Sequence, residues 1–489
     1  MRIRAPLTTM CCLSLCTSPA WAQRALGDSA RGDSTTRVIT PGARYRAGWL
    51  HKMVLGDDYR ALWTTPIEVD VLDLRATAGG LRPTQRGGSM QTKSLRFRGG
   101  DGREYVFRPA EKDFSKSLPP ALRETLVSDI AQDQVSGYHP AAALVVASLL
   151  DATGLHHPRP RLFVMPNDPL LGEFRADFAG VLGTLEERPA RDFDDSAESL
   201  GATDVVSSER LFEHLRKSHE HRVDTHAYLA ARLFDIVVGD RDRHRDQWRW
   251  GRFSADKNAM WEPIPRDRDM PFAKFEGAGP WAIRGFAPQM VSFDAKYPSM
   301  VWLNWNAREI DRRLLVGLSR AEWESAVREL QAQLSDSVIR AAVAQMPAPF
   351  QKLDGEELIA TLITRRERLP KAGAEFYELL AREVNVAGTD AADLAQVTRE
   401  TDGAVRVRLS TRKSSASGTA DSDATYFDRR FLPGETHEVR IHLLGGDDRV
   451  AISGARRGDI LVRIVGGDGD DVIIDSIPNG DAALRIYDS

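Results

Sequence analysis

The sequence predicts an α+β fold in three parts: a β-rich lobe, a helical lobe and a small all-β C-terminal module. Residues 46–195 hold short segments in which apolar and polar side chains alternate with the period of a strand. Residues 196–385 carry apolar side chains at helical spacing, and residues 386–489 return to alternation interrupted by Gly-Asp turns. A chain of 489 residues is too long for one ordinary hydrophobic core, so several units are expected.

Residues 1–22 have the features of a signal peptide. Arg2 and Arg4 form a short positive region, and the apolar segment that follows is too short to span a bilayer. Ala20 and Ala22 supply the small residues of a cleavage site, and the 3 cysteines of the chain all precede that site. We therefore expect an exported protein without cysteines, periplasmic or peripherally associated with the outer membrane, with a disordered linker over residues 23–45.

The charge balance of the chain excludes some classes of partner. Apolar residues make up 42% of the chain and charged residues 28%, which is typical of a soluble globular protein. The net charge is −4, and aspartates lie among the arginine clusters. Nothing in this balance predicts nucleic acid as a partner.

The β-rich lobe is predicted from its alternating segments, in order along the chain. A glycine-rich turn lies between the first two strands, and two helices precede the last two strands. The predicted strands cover residues 67–74, 93–99, 104–109, 160–166 and 178–188.

The helical lobe is predicted from amphipathic segments with recognisable ends. In "DTHAYLAARLFDIVVG", Asp224 is a candidate N-cap and Gly239 a candidate stop, with apolar residues at helical spacing between them. Two further amphipathic helices follow, in "SRAEWESAVRELQAQL" and in "DGEELIATLITRRERLPKAGAEFYELLARE".

A charged loop follows the helix that ends at Gly239. The ten residues "GDRDRHRDQW" contain three aspartates, three arginines and a histidine. Phosphoryl transfer requires a carboxylate that orients the attacking hydroxyl and oxygen ligands for Mg²⁺. Asp242, His244 and Gln247 form an Asp-x-His-x-x-Gln pattern that can supply both, although a solvated, ion-paired loop is the alternative interpretation of these charges.

Other features stand where phosphoryl transfer requires them. After a predicted hairpin, the strand end "IPRDRDMPF" carries Asp267 and Asp269. Upstream of the loop, the glycine-rich turn and a cationic strand are candidates for phosphate contacts. The candidate nucleotide-binding residues in these two places are Gly87, Gly88, Ser89, Gln91, Thr92, Arg108 and Lys112.

The order of these parts resembles the atypical protein-kinase-like fold, in the branch that holds HipA-type kinases, CotH spore-coat kinases and secreted Golgi kinases. The resemblance implies that Asp242 is the catalytic aspartate and His244 the structural histidine of the loop. It places Gln247 at the first metal-ligand position and Asp267 at the second, with Asp269 as a close rival. It also implies Mg²⁺ or Mn²⁺ with ATP or another nucleotide.

The chain departs from this family at its nucleotide-binding lysine. Arg108 stands in the place of that lysine, Lys112 could take its role, and Gln247 is a neutral ligand where the family has Asn or Glu. The sequence predicts an exported kinase-like enzyme that transfers a phosphoryl group to an envelope sugar, lipid or protein. The alternative is a catalytically inactive kinase-like scaffold or binding protein of the outer envelope.

The C-terminal module carries a glycine- and aspartate-rich segment. "GGDGDDVII" (466–474) is similar to the nine-residue repeats of repeats-in-toxin proteins. That resemblance implies a Ca²⁺ site with Asp471 as a ligand. Ordinary Gly-Asp turns between strands are the alternative.

Overall fold

The computed structural model describes residues 36–87, 93–113, 125–189, 199–254, 260–285, 287–412, 422–456, 458–478, 480 and 482–487. The expected signal peptide and residues 23–35 of the expected linker lie outside these ranges. The predicted α+β class with an all-β C-terminal module is confirmed by the elements below.

A five-stranded antiparallel sheet forms the centre of the β-rich lobe. The strands of this lobe are β1 (Thr36–Ile39), β2 (Ile67–Asp70), β3 (Arg82–Gly87), β4 (Ser94–Arg98), β5 (Glu104–Pro109), β6 (Arg161–Val164) and β7 (Leu182–Glu187). Its helices are α1 (Trp49–Leu55), α2 (Arg60–Trp63), α3 (Leu126–Asp133), α4 (Ala142–Asp151) and α5 (Arg175–Phe178). The strand order β3-β4-β5-β7-β6 places β5 at the centre, where its apolar side chains are fully buried.

The start of the chain differs from the predicted disordered linker. β1 pairs with β2 in an antiparallel ladder, so residues 36–39 are part of a sheet. Tyr45 is buried with its ring 5.4 Å from that of Trp63. Burial of this aromatic pair offsets the entropy lost on ordering the segment, which composition alone did not predict.

The helical lobe contains a small three-stranded sheet beside its helices. Its strands are β8 (Asp204–Ser207), β9 (Trp248–Arg252) and β10 (Glu262–Pro265), in the order β10-β9-β8. Its helices are α6 (Ser208–Lys217), α7 (Thr225–Val238), α8 (Ala278–Ile283), α9 (Met300–Leu303), α10 (Arg308–Leu314), α11 (Arg320–Gln333), α12 (Asp336–Val343), α13 (Ala348–Phe350) and α14 (Glu356–Ala381). None of the helices in the described ranges has the length and apolar character needed to cross a bilayer.

Helix α7 ends at the charged loop, and its two ends match the sequence prediction. The Asp224 side chain accepts a hydrogen bond from the backbone N–H of Ala227 (2.8 Å). Gly239 stops the helix in the left-handed conformation at φ 70°. The helix is then clamped from α14, because the Arg365 guanidinium donates to the carbonyls of Val237 and Ile236 (both 2.7 Å).

The C-terminal module is a coil of strands that pass back and forth between two sheets. Its strands are β11 (Glu383–Ala387), β12 (Asp393–Arg399), β13 (Val405–Arg412), β14 (Ser422–Phe431), β15 (Glu438–Gly445), β16 (Arg449–Gly454), β17 (Leu461–Asp468), β18 (Val472–Asp475) and β19 (Leu484–Tyr487). One sheet is parallel throughout, in the order β11-β15-β17-β19. The other has the order β14-β13-β12-β16-β18 and is parallel from β12 onward.

The coil joins the helical lobe without an intervening linker. α14 ends at Ala381 and β11 begins at Glu383, three residues before the predicted boundary at 386. Glu435 of the coil accepts hydrogen bonds from Arg320 of α11 (2.6 Å) and from Tyr377 of α14 (2.5 Å). These contacts hold the first turn of the coil against the helical lobe.

Candidate active site

Asp242 lies at the start of the charged loop and is held by amide side chains. Its carboxylate accepts hydrogen bonds from the Gln247 amide (3.5 Å) and from the Asn306 amide (3.4 Å). Its side chain is 28% exposed, so one edge remains accessible from solvent. A carboxylate held in place yet accessible can accept a proton from a bound hydroxyl.

His244 shapes the loop. Its Nδ1 accepts a hydrogen bond from the backbone N–H of Asp246 (3.3 Å), which caps the short 3-10 turn at residues 245–247. Its Nε2 lies 3.4 Å from the Gln247 amide nitrogen and 4.0 Å from the Asp242 carboxylate. These contacts lie within the loop, and the structural role that the sequence assigns to this histidine stays a prediction.

A buried network of opposite charges fixes the backbone under the loop. Asp240 accepts a hydrogen bond from the backbone N–H of Asp242 (3.3 Å) and from Arg268 (2.9 Å). Arg268 also pairs with Asp235 at the end of α7, and Arg243 donates to the backbone carbonyl of Gln247 (3.1 Å). Since these groups are buried, removing one partner would leave its neighbour as an uncompensated charge.

Asp267 faces Arg108 across the two lobes. Arg108 of β5 lies 3.4 Å from the Asp267 carboxylate and donates to Glu186 of β7 (2.9 Å). Burial alone would raise the pKa of the Asp267 carboxyl, but the charges of Arg108 and Lys112 outweigh it and lower that pKa to about 2. The Gln247 amide also favours the ionised form of Asp267. Asp267 therefore stays a carboxylate at neutral pH.

The backbone after β10 has two residues in an unfavourable conformation. Asp267 has φ 60°, in the left-handed region, and Phe272 five residues later has φ 64°. Aspartate tolerates this conformation better than most residues, whereas phenylalanine does so only when its surroundings enforce it. Phe272 is fully buried against Phe293, which holds this turn in place.

Lys112 and Asp269 form the second ion pair of the cleft. The Lys112 ammonium lies 2.9 Å from the Asp269 carboxylate and 5.0 Å from the ring centre of Tyr138. Burial raises the pKa of the Asp269 carboxyl to about 7, since the nearby Asp267 charge adds to burial against the attraction of Lys112. Between the two rival metal ligands, the electrostatics favour Asp267, which is fully ionised and contacts Gln247.

Arg266 precedes Asp267 and, unlike Arg108 and Lys112, is buried without an ion-pair partner among the described residues. Its backbone N–H donates to the carbonyl of Gln247 (3.1 Å). Burial and the like charges of Arg249 and Arg108 lower the pKa of the Arg266 guanidinium to about 9. The sequence prediction did not include this residue.

The structure brings together most of the predicted site. Asp242, His244 and Gln247 of the loop meet Asp267 and Asp269, with Arg108 and Lys112 opposite them in the β-rich lobe. Gly87 ends β3 at the opening of the predicted phosphate turn. Gly88, Ser89, Gln91 and Thr92 of that turn lie outside the described residues, so their predicted role stays a prediction.

Besides Arg266, two residues of the site were missed from the sequence. Glu186 pairs with Arg108 from the neighbouring strand β7, and Asn306 contacts Asp242 from the turn before α10. A buried acid in the segment "LGTLEE" could have indicated Glu186, because an acid on the core side of a strand needs a cation. No local pattern indicated Asn306.

The donor set suits a divalent cation that arrives with phosphate. Gln247 and Asp267 offer amide and carboxylate oxygens, the ligand types that Mg²⁺ and Mn²⁺ prefer. In the described part of the chain, no three His, Cys, Asp or Glu side chains form a group that could hold a metal ion. The residues that could hold such an ion are Gln247 and Asp267, and the other ligands would be phosphate oxygens or water.

Several solved structures are similar to part of this chain. The Helicobacter pylori proinflammatory kinase CtkA is 12% identical with a TM-score of 0.33, and the match covers 61% of this chain and 96% of CtkA. The Shewanella oneidensis MR-1 toxin–antitoxin complex of HipA, HipB and operator DNA is 12% identical with a TM-score of 0.32, covering 64% of this chain and 78% of that chain. The Golgi casein kinase is 10% identical with a TM-score of 0.28, covering 60% and 71%. No protein-family model matches the chain, and no curated protein matches its sequence.

HipA and a Golgi kinase are two of the three kinds of protein that the loop motif resembles. Both are among the structures to which this chain is similar. The resemblance of residues 466–474 to repeats-in-toxin proteins is not tested by these comparisons and stays a prediction.

Proposed function

We propose that the protein is a metal-dependent phosphotransferase that moves the terminal phosphoryl group of a nucleotide onto an acceptor hydroxyl. One observation carries the proposal. Asp242, Gln247 and Asp267, from a loop and a strand end, converge at a point faced by Arg108 and Lys112 of the other lobe. Acids and a neutral oxygen on one side and buried cations on the other are the groups that phosphoryl transfer needs.

Asp242 is the proposed catalytic residue. As the acceptor oxygen bonds to the terminal phosphorus, the Asp242 carboxylate takes the hydroxyl proton, and the bond to the bridging phosphate oxygen breaks. The nucleoside diphosphate leaves with the electron pair of that bond. Asn306 and Gln247 aim the carboxylate at the acceptor, so little reorganisation is required during the reaction.

Gln247 and Asp267 are the proposed metal ligands, with Asp269 as the alternative to Asp267. A bound Mg²⁺ or Mn²⁺ would neutralise charge on the nucleotide phosphates. Arg108 and Lys112 are the proposed phosphate contacts from the β-rich lobe, next to the turn that begins at Gly87. Binding requires Arg108 to share its guanidinium between Glu186 and the phosphate, or to exchange one for the other.

The acceptor is proposed to be an envelope sugar, lipid or protein. The proposal rests on the signal-peptide features of residues 1–22, which predict an exported protein that is periplasmic or associated with the outer membrane. Peripheral association with that membrane is part of this proposal.

A specific observation favours an inactive scaffold as the second candidate function. Both acids at the end of β10 already hold cations, Asp267 with Arg108 and Asp269 with Lys112. If these pairs are permanent, neither carboxylate is free for a metal, and the cleft serves as a binding surface. The two candidates make opposite predictions about metal-dependent nucleotide binding.

Calorimetry with ATP, GTP and UTP, each with and without Mg²⁺ or Mn²⁺, tests the proposal without knowledge of the acceptor. We expect one nucleotide to bind only with metal present. Asp267→Ala should remove that binding, because an uncompensated triphosphate would then face the cleft. Asp242→Ala should keep nucleotide affinity within about threefold while slow hydrolysis of the nucleotide by water falls by about 10²-fold or more.

Asp246→Ala is the matched control for both variants. Asp246 lies in the same loop, but its side chain is 84% exposed and comes no closer than 3.8 Å to the Nδ1 of His244, so its removal should change neither binding nor hydrolysis. The phosphotransferase proposal fails if the wild type binds none of the three nucleotides with either metal. In that outcome the scaffold function replaces it.

A further inference from the structure

The guanidinium of Arg266 lies between the two lobes, among other arginines. Arg266 follows β10 in the helical lobe, and its charged neighbours are Arg249 of β9, Arg108 of β5 and Arg188 directly after β7. Two of these neighbours belong to the opposite lobe. The Arg266 side chain therefore lies close to the contact between Arg108 and Asp267 that joins the two lobes.

Each of the neighbouring arginines already has a partner. Arg108 donates to Glu186, Arg188 pairs with the buried Glu104, and Arg249 donates to the carbonyl of Trp248 (2.8 Å). Each neighbouring guanidinium thus has a hydrogen-bond acceptor or an ion-pair partner within the folded chain.

Arg266 differs from these three arginines. Its Nε and one terminal nitrogen are buried and make no hydrogen bond, and across the described ranges the guanidinium forms no ion pair. The adjacent Asp267 carboxylate is engaged by Arg108 on the other lobe. Arg266 is thus a cation with unsatisfied donors, near three other arginines and one carboxylate that Arg108 already contacts.

Such an arrangement is unfavourable for the folded protein alone. A buried donor without an acceptor costs desolvation energy, and nearby positive charges add repulsion. A hydrophobic residue at position 266 would avoid both penalties. A residue that destabilises the free protein but lines a cleft is typical of a ligand contact, and the ligand that removes both penalties is an anion.

We propose that Arg266 is a phosphate-binding residue that takes the oxygens of an oligophosphate entering the cleft. A guanidinium presents its donors in a planar fork that matches two phosphate oxygens, and Asp267 next to it is the proposed ligand of the accompanying metal. The inference deepens the proposed function by assigning a phosphate contact in the helical lobe. The oligophosphate is either that of a nucleotide or a free inorganic chain.

The test uses the full chain and inorganic tripolyphosphate with Mg²⁺ as the probe. Without ligand, Arg266→Gln should melt a few degrees above the wild type, because an unpaired buried charge is gone. Tripolyphosphate should raise the melting temperature of the wild type, and calorimetry should show about a tenfold or greater loss of affinity in Arg266→Gln. Arg266→Lys should also bind more weakly, since it keeps the charge but loses the fork.

Arg328→Gln, on the exposed face of α11, is the control for net charge and should match the wild type in both measurements. Equal tripolyphosphate affinity in Arg266→Gln and the wild type would overturn the inference, as would a wild type that binds no tripolyphosphate. If Arg266→Gln does not fold, Arg266→Lys with wild-type affinity overturns it.

ATP, GTP and UTP added to the same variants separate this inference from the proposed function. Tripolyphosphate binding that depends on Arg266, with no nucleotide binding, supports the inference with a free oligophosphate as ligand and contradicts the phosphotransferase proposal. Nucleotide binding that is equal in the wild type and Arg266→Gln supports the phosphotransferase proposal and contradicts the inference.

Discussion

The cleft and the C-terminal coil both bury aspartates, but they stabilise them in different ways. In the cleft, Asp267 and Asp269 each face a side-chain cation from the other lobe, at 3.4 Å and 2.9 Å. In the coil, Asp393, Asp448 and Asp471 follow one another from turn to turn. Each is tied to the next by a backbone N–H: Asp393 donates to Asp448 (2.7 Å), and Asp448 donates to Asp471 (3.0 Å).

The two environments have different effects on the pKa of a buried carboxyl group. Opposing cations keep the pKa of Asp267 low. Burial raises the pKa of the Asp448 carboxyl to about 7 despite the favourable backbone N–H of Asp393, and the neighbouring charges of Asp393 and Asp471 add to the rise. One carboxylate oxygen in each of the three coil aspartates is buried without a hydrogen bond. The comparison teaches that Asp267 stays charged because the charges of Arg108 and Lys112 outweigh burial. Asp448 in the coil and Asp269 beside Asp267 hold a proton more readily, because a neighbouring carboxylate adds to burial.

The largest expected effect comes from breaking the charge balance under the cleft. Arg268→Leu leaves Asp240 and Asp235 with one cation fewer in a fully buried site. We expect the free energy of unfolding to fall by about 3–5 kcal/mol, measured by urea denaturation at pH 7. Arg328→Leu, on an exposed helix face, should change it by less than about 0.5 kcal/mol. A loss below about 1 kcal/mol in Arg268→Leu would show that the balance under the loop is unimportant for folding.

The second prediction concerns the protons of the coil. Because the folded pKa of Asp448 lies above that of an unfolded aspartate, the folded protein binds more protons between about pH 4 and about pH 7. This group therefore makes stability fall as pH rises through that window. Asp448→Asn keeps the acceptor oxygen for Asp393 and should raise the free energy of unfolding at pH 8 by roughly 1–3 kcal/mol, with little change at pH 4.

Asp447→Asn is the matched control for that substitution. Asp447 is the preceding residue, but its side chain is exposed and accepts a hydrogen bond from the backbone N–H of Asp470 (3.1 Å). It should leave the pH profile unchanged. If the free energy of unfolding depends on pH in the same way in Asp448→Asn and in the wild type, the raised pKa does not belong to Asp448.

The smallest expected effect is that of Ca²⁺ on the coil. If the unpaired oxygen of Asp471 contributes to a calcium site with an affinity near 1 mM, 10 mM Ca²⁺ should stabilise the fold by about 1.4 kcal/mol. Asp471→Ala should abolish the resulting rise in melting temperature, whereas Asp470→Ala, at an exposed position, should preserve it. No rise in the wild type leaves ordinary Gly-Asp turns as the interpretation of residues 466–474.

The elements that were predicted well are those whose signals are local. β5 matches its predicted bounds because apolar alternation and the final proline lie within six residues. α7 matches because its cap and its glycine stop are both in the sequence of the helix itself. The loop and the strand end were found for the same reason, since each is a short run of charged residues.

The contacts that were missed join residues far apart in the chain. Arg108 and Glu186 meet because β5 and β7 are neighbours in the sheet, a pairing that depends on register over a separation of 78 residues. Asn306 reaches Asp242 only after α9 and α10 have packed. Two nitrogens of Arg266 lack acceptors because none of the segments packed around the guanidinium places an acceptor within reach of them, and this depends on the whole tertiary structure. Local patterns predict which residue types are available, and tertiary packing determines their partners.

The direct connection between α14 and the coil couples the coil to the helix that precedes the charged loop. α14 runs for 26 residues, ends against the first strand of the coil, and grips the last carbonyls of α7 through Arg365. A displacement of the coil would therefore act on α14 and, through Arg365, on the end of α7 that precedes Asp242. A chain cut between Ala381 and Glu383 would keep every residue of the cleft but lose the covalent connection between α14 and the coil.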